Sequence, residues 1–309
     1  MAEAPPLADA AERTGIGPVL RMLWRDKIAS LAALFLLLMV ACALLGPALL
    51  GDVATAVNLR MRNAPPFIAE NGWLFFLGAD ALGRSILARL IVAAQNTLAI
   101  ADSAVLVSLC IGGAIGIVAG YVGRWVDNLV MRLADILMSF PSLLLAVVVL
   151  YVLEPRVANL VIVLAITRLP IYIRTARAEV LEIRERLFVS AARAMGSGGL
   201  RILWRHVGPI ALPTLMTIAT IDFAFVMLAE SALSFLGIGI QPPEVTWGLM
   251  VAQGRNYLSV AWWLAFFPGV AIMLTTLSLN LLSSWLRVAT DPTQRWRLEI
   301  GGRRPRAAP

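Results

Sequence analysis

Six runs of mostly apolar residues set the first limit on what this chain can fold into. They lie at approximately 28–50, 96–119, 129–152, 157–175, 209–236 and 260–286. A helix rises about 1.5 Å per residue, so about 20 apolar residues cross a hydrocarbon layer of about 30 Å. Backbone exposed to lipid must bond within its own segment, which makes helices the expected element. The composition points the same way. The chain is 60% hydrophobic and 15% charged, where soluble domains carry about 25% charged residues. Its mean hydropathy is +0.82. The expected fold class is an all-α integral membrane protein with six transmembrane helices. The expected divisions are an N-terminal tail with the start of span one (1–27), the first span (28–50), an external loop with an amphipathic helix (51–95), a core of five spans (96–286) and a C-terminal tail (287–309).

Arginine placement sets the expected orientation. With the N-terminus inside, 18 of the 26 lysines and arginines fall in inside segments and six in outside segments. That bias places both termini in the cytoplasm. It also accounts for the net charge of +7, and no aromatic-interleaved basic patch points to nucleic acid. The N-terminus MAEAPPLADAAERTGIG has no basic region before an apolar run and reads as a cytoplasmic tail, not a signal peptide. IGGRRPRAAP reads as a disordered basic tail. Cys42 and Cys110 sit in apolar runs without metal-ligand spacing, and read as small core hydrophobes. No metal site is expected.

In the external segment, Asp80 is an expected N-cap. Leu82, Ile86, Leu90 and Ala93 follow at helical spacing, with Arg84 and Gln95 among the polar positions. This predicts an amphipathic helix on the outer leaflet leading into span two. Gly112, Gly116 and Gly120 recur every four residues, a spacing that lets another helix approach closely.

The loop at about 176–208 carries most of the remaining information. Leu187, Phe188, Ala191, Ala192 and Met195 fall on one helical face, and Arg186, Ser190 and Arg193 on the other. Gly196-Ser197-Gly198-Gly199 must end that helix. A second short helix then offers Leu200, Leu203, Trp204 and Val207 on one side, with Arg201 and Arg205 pointing away. The pair could rest on lipid headgroups, or could present an apolar and basic surface to a soluble partner.

The pattern Ala191-Ala192, Gly196 and closing Pro209 resembles the EAA loop of ABC importer permeases. LGADALGRSILARL (77–90), MRLADILMSFPSLLLA (131–146) and AESALSFLGIGIQPPEVTWGLM (229–250) are similar to the dipeptide, oligopeptide and nickel branch, and to the C-type permease of the pair. The resemblance runs from about residue 20 to 295. It implies a multi-pass permease of the bacterial inner membrane that works by alternating access. It implies a homologous second permease, two cytoplasmic ATPase subunits and an extracytoplasmic substrate-binding protein as partners. ATP and Mg would be bound by those ATPases, with no cofactor in this chain. Docking would fall on Leu187, Phe188, Ser190, Ala191, Ala192, Arg193, Met195, Gly196 and Arg201. The chain departs from the pattern at Ser190, where the family has glutamate, and at Gly208, where it has leucine.

The residues themselves exclude an ATP site of the P-loop kind, because that loop needs a lysine in G-x-x-x-x-G-K-[ST] and the only lysine is Lys27. One histidine, His206, and no HExxH or GxSxG leave no triad or metal cluster to assemble, so an enzyme is not expected. The charged residues within spans are functional candidates, since burying them in lipid is costly. Arg132 and Asp135 are expected to pair with each other, and Asp102 to sit near the outer end of span two. Asp222 and Glu230 share a face of span five; they could line a polar translocation pathway or pair with a partner subunit. An ion-coupled secondary transporter using such carboxylates is the alternative reading, although no matched pair of Gly/Pro-broken spans supports it.

Overall fold

A computed structural model of the chain describes residues 16–154 and 156–290. The described residues are mostly helical, and the longest connection, 56–85, holds three short 3-10 turns. Residues 16–25 form a helix, α1 (Ile16–Arg25), where a tail is expected; the rest of that tail and the basic C-terminal tail lie outside the described residues. Asp26 ends α1 and starts α2 (Lys27–Thr55), its carboxylate accepting from the amides of Ile28 and Ala29 at 3.1 Å. That cap turns α1 back on the bundle, where Met22 and Leu23 pack with Ala29, Trp285 and Ala289.

The second span differs from expectation at its start. Ser85, not Asp80, is the N-cap, accepting from the Ala88 amide. One unbroken helix, α3 (Ile86–Val122), then runs for 37 residues. The separate amphipathic helix on the outer leaflet does not form, because Ile86 and Ala93 pack into the protein core instead of lipid. Asp80 serves the turn before the helix.

Span three is broken. α4 (Arg124–Ser139) and α5 (Ser142–Val152) meet at an angle of 86°. Pro141 has no amide to give to a helical ladder, and the residue before a proline is biased toward extended backbone; Phe140 has φ −94° and ψ 137°. Among the described residues, five helices are long and apolar enough to cross a membrane, or six with the bent pair counted as one. α6 (Val157–Ile183) continues eight residues past the expected end of span four, with Pro170 inside it.

After the loop helix α7 (Leu187–Ala194), the chain forms α8 (Gly199–Ile202), a π turn at Leu203–Val207 and α9 (Gly208–Phe235). These three join into one rod, Gly199–Phe235. Pro209 lies in the first turn of α9, directly after the π turn. The expected separate second loop helix is thus the base of span five itself. α10 (Trp247–Gly254), capped by Thr246, and α11 (Trp263–Thr290) complete the fold.

The core is built on α3 packed against α6, with α9 across them. Three of the four glycines of α3, Gly112, Gly116 and Gly120, face α6, and Gly113 lies toward Leu215 of α9. A Cβ at Gly112 would lie 2.8 Å from Tyr172 Cβ, and one at Gly120 2.9 Å from the Arg177 carbonyl oxygen. One at Gly116 would overlap the Ile173 carbonyl. Small residues are required because the two backbones nearly touch.

Candidate functional site

The loop helix is held by backbone bonds at its end. Ser197 N–H donates to Ala192 O at 3.0 Å and Gly196 N–H to Arg193 O at 2.9 Å, with Gly196 at φ +79°. That is the Schellman arrangement, which satisfies the last carbonyls and needs a residue at ease with positive φ. The expected stop at Gly196 is therefore present.

Which face of α7 is buried differs from expectation. Val189 and Ala192 turn inward, while Leu187 is 88% and Met195 80% exposed. Phe188, Ser190, Ala191, Arg193 and Arg201 are exposed as well. The five apolar residues at helical spacing therefore do not pack together: Ala192 belongs to the core and the other four to the surface. In the next segment Ile202, Leu203 and Val207 are buried, but Leu200 and Trp204 are not. The wide apolar stripe has two faces, and the smaller side chains seat the loop.

Tyr121, at the end of α3, lies where the loop turns. The Arg193 guanidinium sits over its ring at 5.6 Å, and a Cβ at Gly199 would lie 3.3 Å from its Cε1. Below it, Arg177 grips Asp127 through two hydrogen bonds, Nε to Oδ1 at 2.6 Å and a terminal nitrogen to Oδ2 at 2.7 Å. Arg184 donates to the Gly120 carbonyl at 3.0 Å. The bases of α3, α4 and α6 and the loop are thus one polar-braced unit. Tyr121 had no signal in the sequence, because its role depends on a fold-back of more than 70 residues.

The intramembrane charges pair differently from expectation. Asp135 pairs with Arg174 of α6, not with Arg132. Asp222 pairs with Arg168 of α6, whose guanidinium also stacks on Phe225 at 4.1 Å. Glu230 accepts from Ser234 Oγ at 2.8 Å. Asp222 is 2% and Glu230 0% exposed. Neither opens on a surface; each has its own partners inside the chain, where a pathway or a partner subunit was expected. Asp102 is exposed midway along α3, because that helix starts ten residues earlier than expected. It borders a cavity of about 540 Å³ between α2, α3, α9 and α11.

At the far end of α3, Asp80 is a hub. It accepts from the amides of Leu82 and Arg84 at 2.9 Å, from Arg84 Nε at 2.7 Å, and from Arg89. Arg89 in turn donates to Gln253 of α10 at 3.2 Å. Burial alone would raise the Asp80 carboxyl, but the Arg84 amide and the charges of Arg89 and Arg84 outweigh it and hold it below the ordinary carboxylate value.

The described residues thus combine membrane-crossing helices, a charge-braced base and a loop helix resting on the end of α3. The chain belongs to the family of binding-protein-dependent transport system inner membrane components, whose model matches residues 112–296. It is a permease subunit of an ABC importer, a multi-pass protein of the inner membrane that works with other subunits of its transport system. It is 38% identical over 97% of its length to a putative peptide transport system permease protein of Brucella suis, covering 99% of that protein. It is 41% identical to the di/tripeptide transport system permease protein DppC of Pseudomonas aeruginosa, over 84% of this chain and 86% of that one. A glutathione transport system permease protein, GsiD of Pectobacterium atrosepticum, is 34% identical over 94% of this chain and 96% of its own. This membership sets the ion-coupled secondary transporter aside.

Proposed function

We propose that the chain forms half of the translocation pathway of an importer for di- or oligopeptides, as the C-type member of a pair of homologous permeases. Both termini face the cytoplasm. Two ATPase subunits bind ATP and Mg and hydrolyse it, and this chain has no catalytic role. An extracytoplasmic binding protein delivers the solute. The peptide class rests on the names of the relatives, which specify peptides, di/tripeptides and glutathione.

The observation that carries the coupling role is the loop helix. Leu187 and Phe188 at the start and Met195 at the end of a helix fixed by the Gly196 turn are apolar and exposed. Unpartnered apolar side chains beside Arg193 and Arg201 suit the cleft of an ATPase subunit. Movement there passes directly into span five, because Gly199–Phe235 is one rod. Ser190 is exposed and supplies no charge to the contact.

The test is uptake of a labelled dipeptide by vesicles holding the assembled transporter and its binding protein. Uptake is expected with ATP and no ion gradient. Uptake driven by an ion gradient without ATP would overturn the reading. Leu187→Asp together with Met195→Asp should abolish uptake and release the ATPase, while the permease stays in the membrane.

A further inference from the structure

The cavity between α2, α3, α9 and α11 has a charge on its wall and nothing in the chain to pair it. Its volume is about 540 Å³. Small-ligand sites have that size and that make-up, an apolar lining with a few polar groups. Leu36 and Met39 of α2 and Phe223 of α9 give apolar walls, while Gln95 and Asp102 of α3 and Thr275 of α11 are polar.

The charges that bracket these helices set the depth of the cavity. All four helices are among those able to cross a membrane. Residues 28–51 of α2 carry no charge. Lys27 and Asp52 stand at either end of that stretch, about 37 Å apart along the helix, against a hydrocarbon layer of about 30 Å. Met39 is at its middle. Thr275 is 12 residues, about 18 Å, from Arg287, the nearest charge in its helix. Gly46 of α2 abuts Ile91 of α3, where a Cβ would lie 2.7 Å from the isoleucine side chain. Asp102 is 11 residues further along α3. Because α3 returns against α2, Asp102 stands level with residue 35, about 12 Å inside Lys27. The cavity is therefore remote from both ends of the bundle.

Two groups there lack partners. Asp102 is exposed, and no hydrogen bond or ion pair within the described residues reaches it. The Thr275 hydroxyl is fully buried and also unpaired. A carboxylate at that depth does not face lipid, and an aspartate is too short to reach the headgroups. A cation has to come to it. A hollow of this volume takes a small molecule, whereas a helix of another subunit packs its ridges into shallow grooves.

We propose that this cavity binds the transported peptide, with Asp102 pairing with its amino-terminal ammonium. Thr275 and Gln95 then offer hydrogen bonds to the peptide's amide groups, and α2 covers an apolar side chain. An ammonium has three donors and no acceptor, which suits a carboxylate. This rests on the peptide-importer reading above and gives it a residue that selects a free amino terminus. Asp222 and Glu230 take no part, since each has partners within the chain.

The experiment uses the assembled transporter and its binding protein in membrane vesicles with ATP. The probe is a labelled dipeptide with a free amino terminus and a diazirine on its second side chain. Illumination during uptake is expected to attach it to Leu36, Met39 or Phe223, as read by mass spectrometry. Asp102→Asn should lower that attachment about tenfold or more, the effect of losing a charge-assisted hydrogen bond, and Asp102→Glu should restore most of it. Attachment only outside the cavity would overturn the proposal, and so would unchanged attachment in Asp102→Asn. Loss of the second permease from the purified Asp102→Asn complex would also overturn it, since Asp102 would then serve a subunit contact. If that variant does not reach the membrane, labelling of the wild type alone decides. Absence of ATP-driven uptake of the probe by the wild type refutes the importer reading, whereas normal uptake with an unlabelled cavity refutes only this site.

Discussion

The seam between α3 and α6 and the loop at 187–199 both depend on glycine, for opposite reasons. At the seam, Gly116 has helical backbone and no room: the Ile173 carbonyl occupies the place of its Cβ. In the loop, Gly196 has room and the wrong backbone for anything else: nothing lies within 4 Å of its Cβ position, but φ is +79°. One glycine serves packing and the other serves a turn. The seam is therefore rigid through its neighbours, and the loop through its own hydrogen bonds, which leaves its outer side chains free.

Four substitutions test that contrast. The largest effect is expected from Asp222→Ala, which leaves the Arg168 guanidinium buried and unpaired. Losing one partner of such a pair costs about 3–5 kcal/mol. The detergent-solubilised protein should lose much of its thermal stability, and Asp222→Leu with Arg168→Met should regain most of it. If the single change is harmless, the pair does not hold α6 to α9.

Next comes Gly116→Val. Added bulk at a filled seam costs about 1–3 kcal/mol, occasionally more, and the helices must separate to admit it. A clear fall in melting temperature is expected in detergent; an unchanged value would mean that this glycine does not set the spacing.

Gly196→Val should cost a similar ~1–3 kcal/mol in backbone strain, yet confined to the loop. Insertion and global melting should hardly move, while peptide uptake is lost. Normal uptake would show that the Gly196 turn has no part in coupling. The smallest effect is expected from Arg193→Ala, which removes a cation–π contact of about 0.5–1 kcal/mol. Stability should shift only slightly. Uptake per ATP hydrolysed should fall, because Tyr121 then holds the loop less firmly; an unchanged ratio would confine Arg193 to a solvent role.

Much of this was legible in the chain itself. The apolar runs gave the crossing helices, Gly112, Gly116 and Gly120 marked a close helix contact, and Gly196 marked the loop's stop. Each is a local property: length against bilayer thickness, four-residue spacing, or φ freedom. Lys27, as the only lysine, excluded a P-loop without any structure. The features that differ from the pattern share a different origin. Asp80 resembled a helix cap by spacing but joins Arg84 and Arg89 in a turn that only the fold creates. Arg132 and Asp135 are three apart on one helix, yet Asp135 turns to Arg174.

The length and spacing of the apolar runs are enough to establish a helical membrane protein, roughly where its helices cross, and where the loop must turn. The tertiary structure alone decided which apolar face is buried: Val189 and Ala192 inside, Leu187 and Met195 outside. It alone decided which charges meet, and that span three bends by 86°. The physical reason is that lipid, protein core and a partner's cleft are all apolar. Hydrophobic pattern measures only distance from water, so it cannot tell these three surroundings apart; packing can.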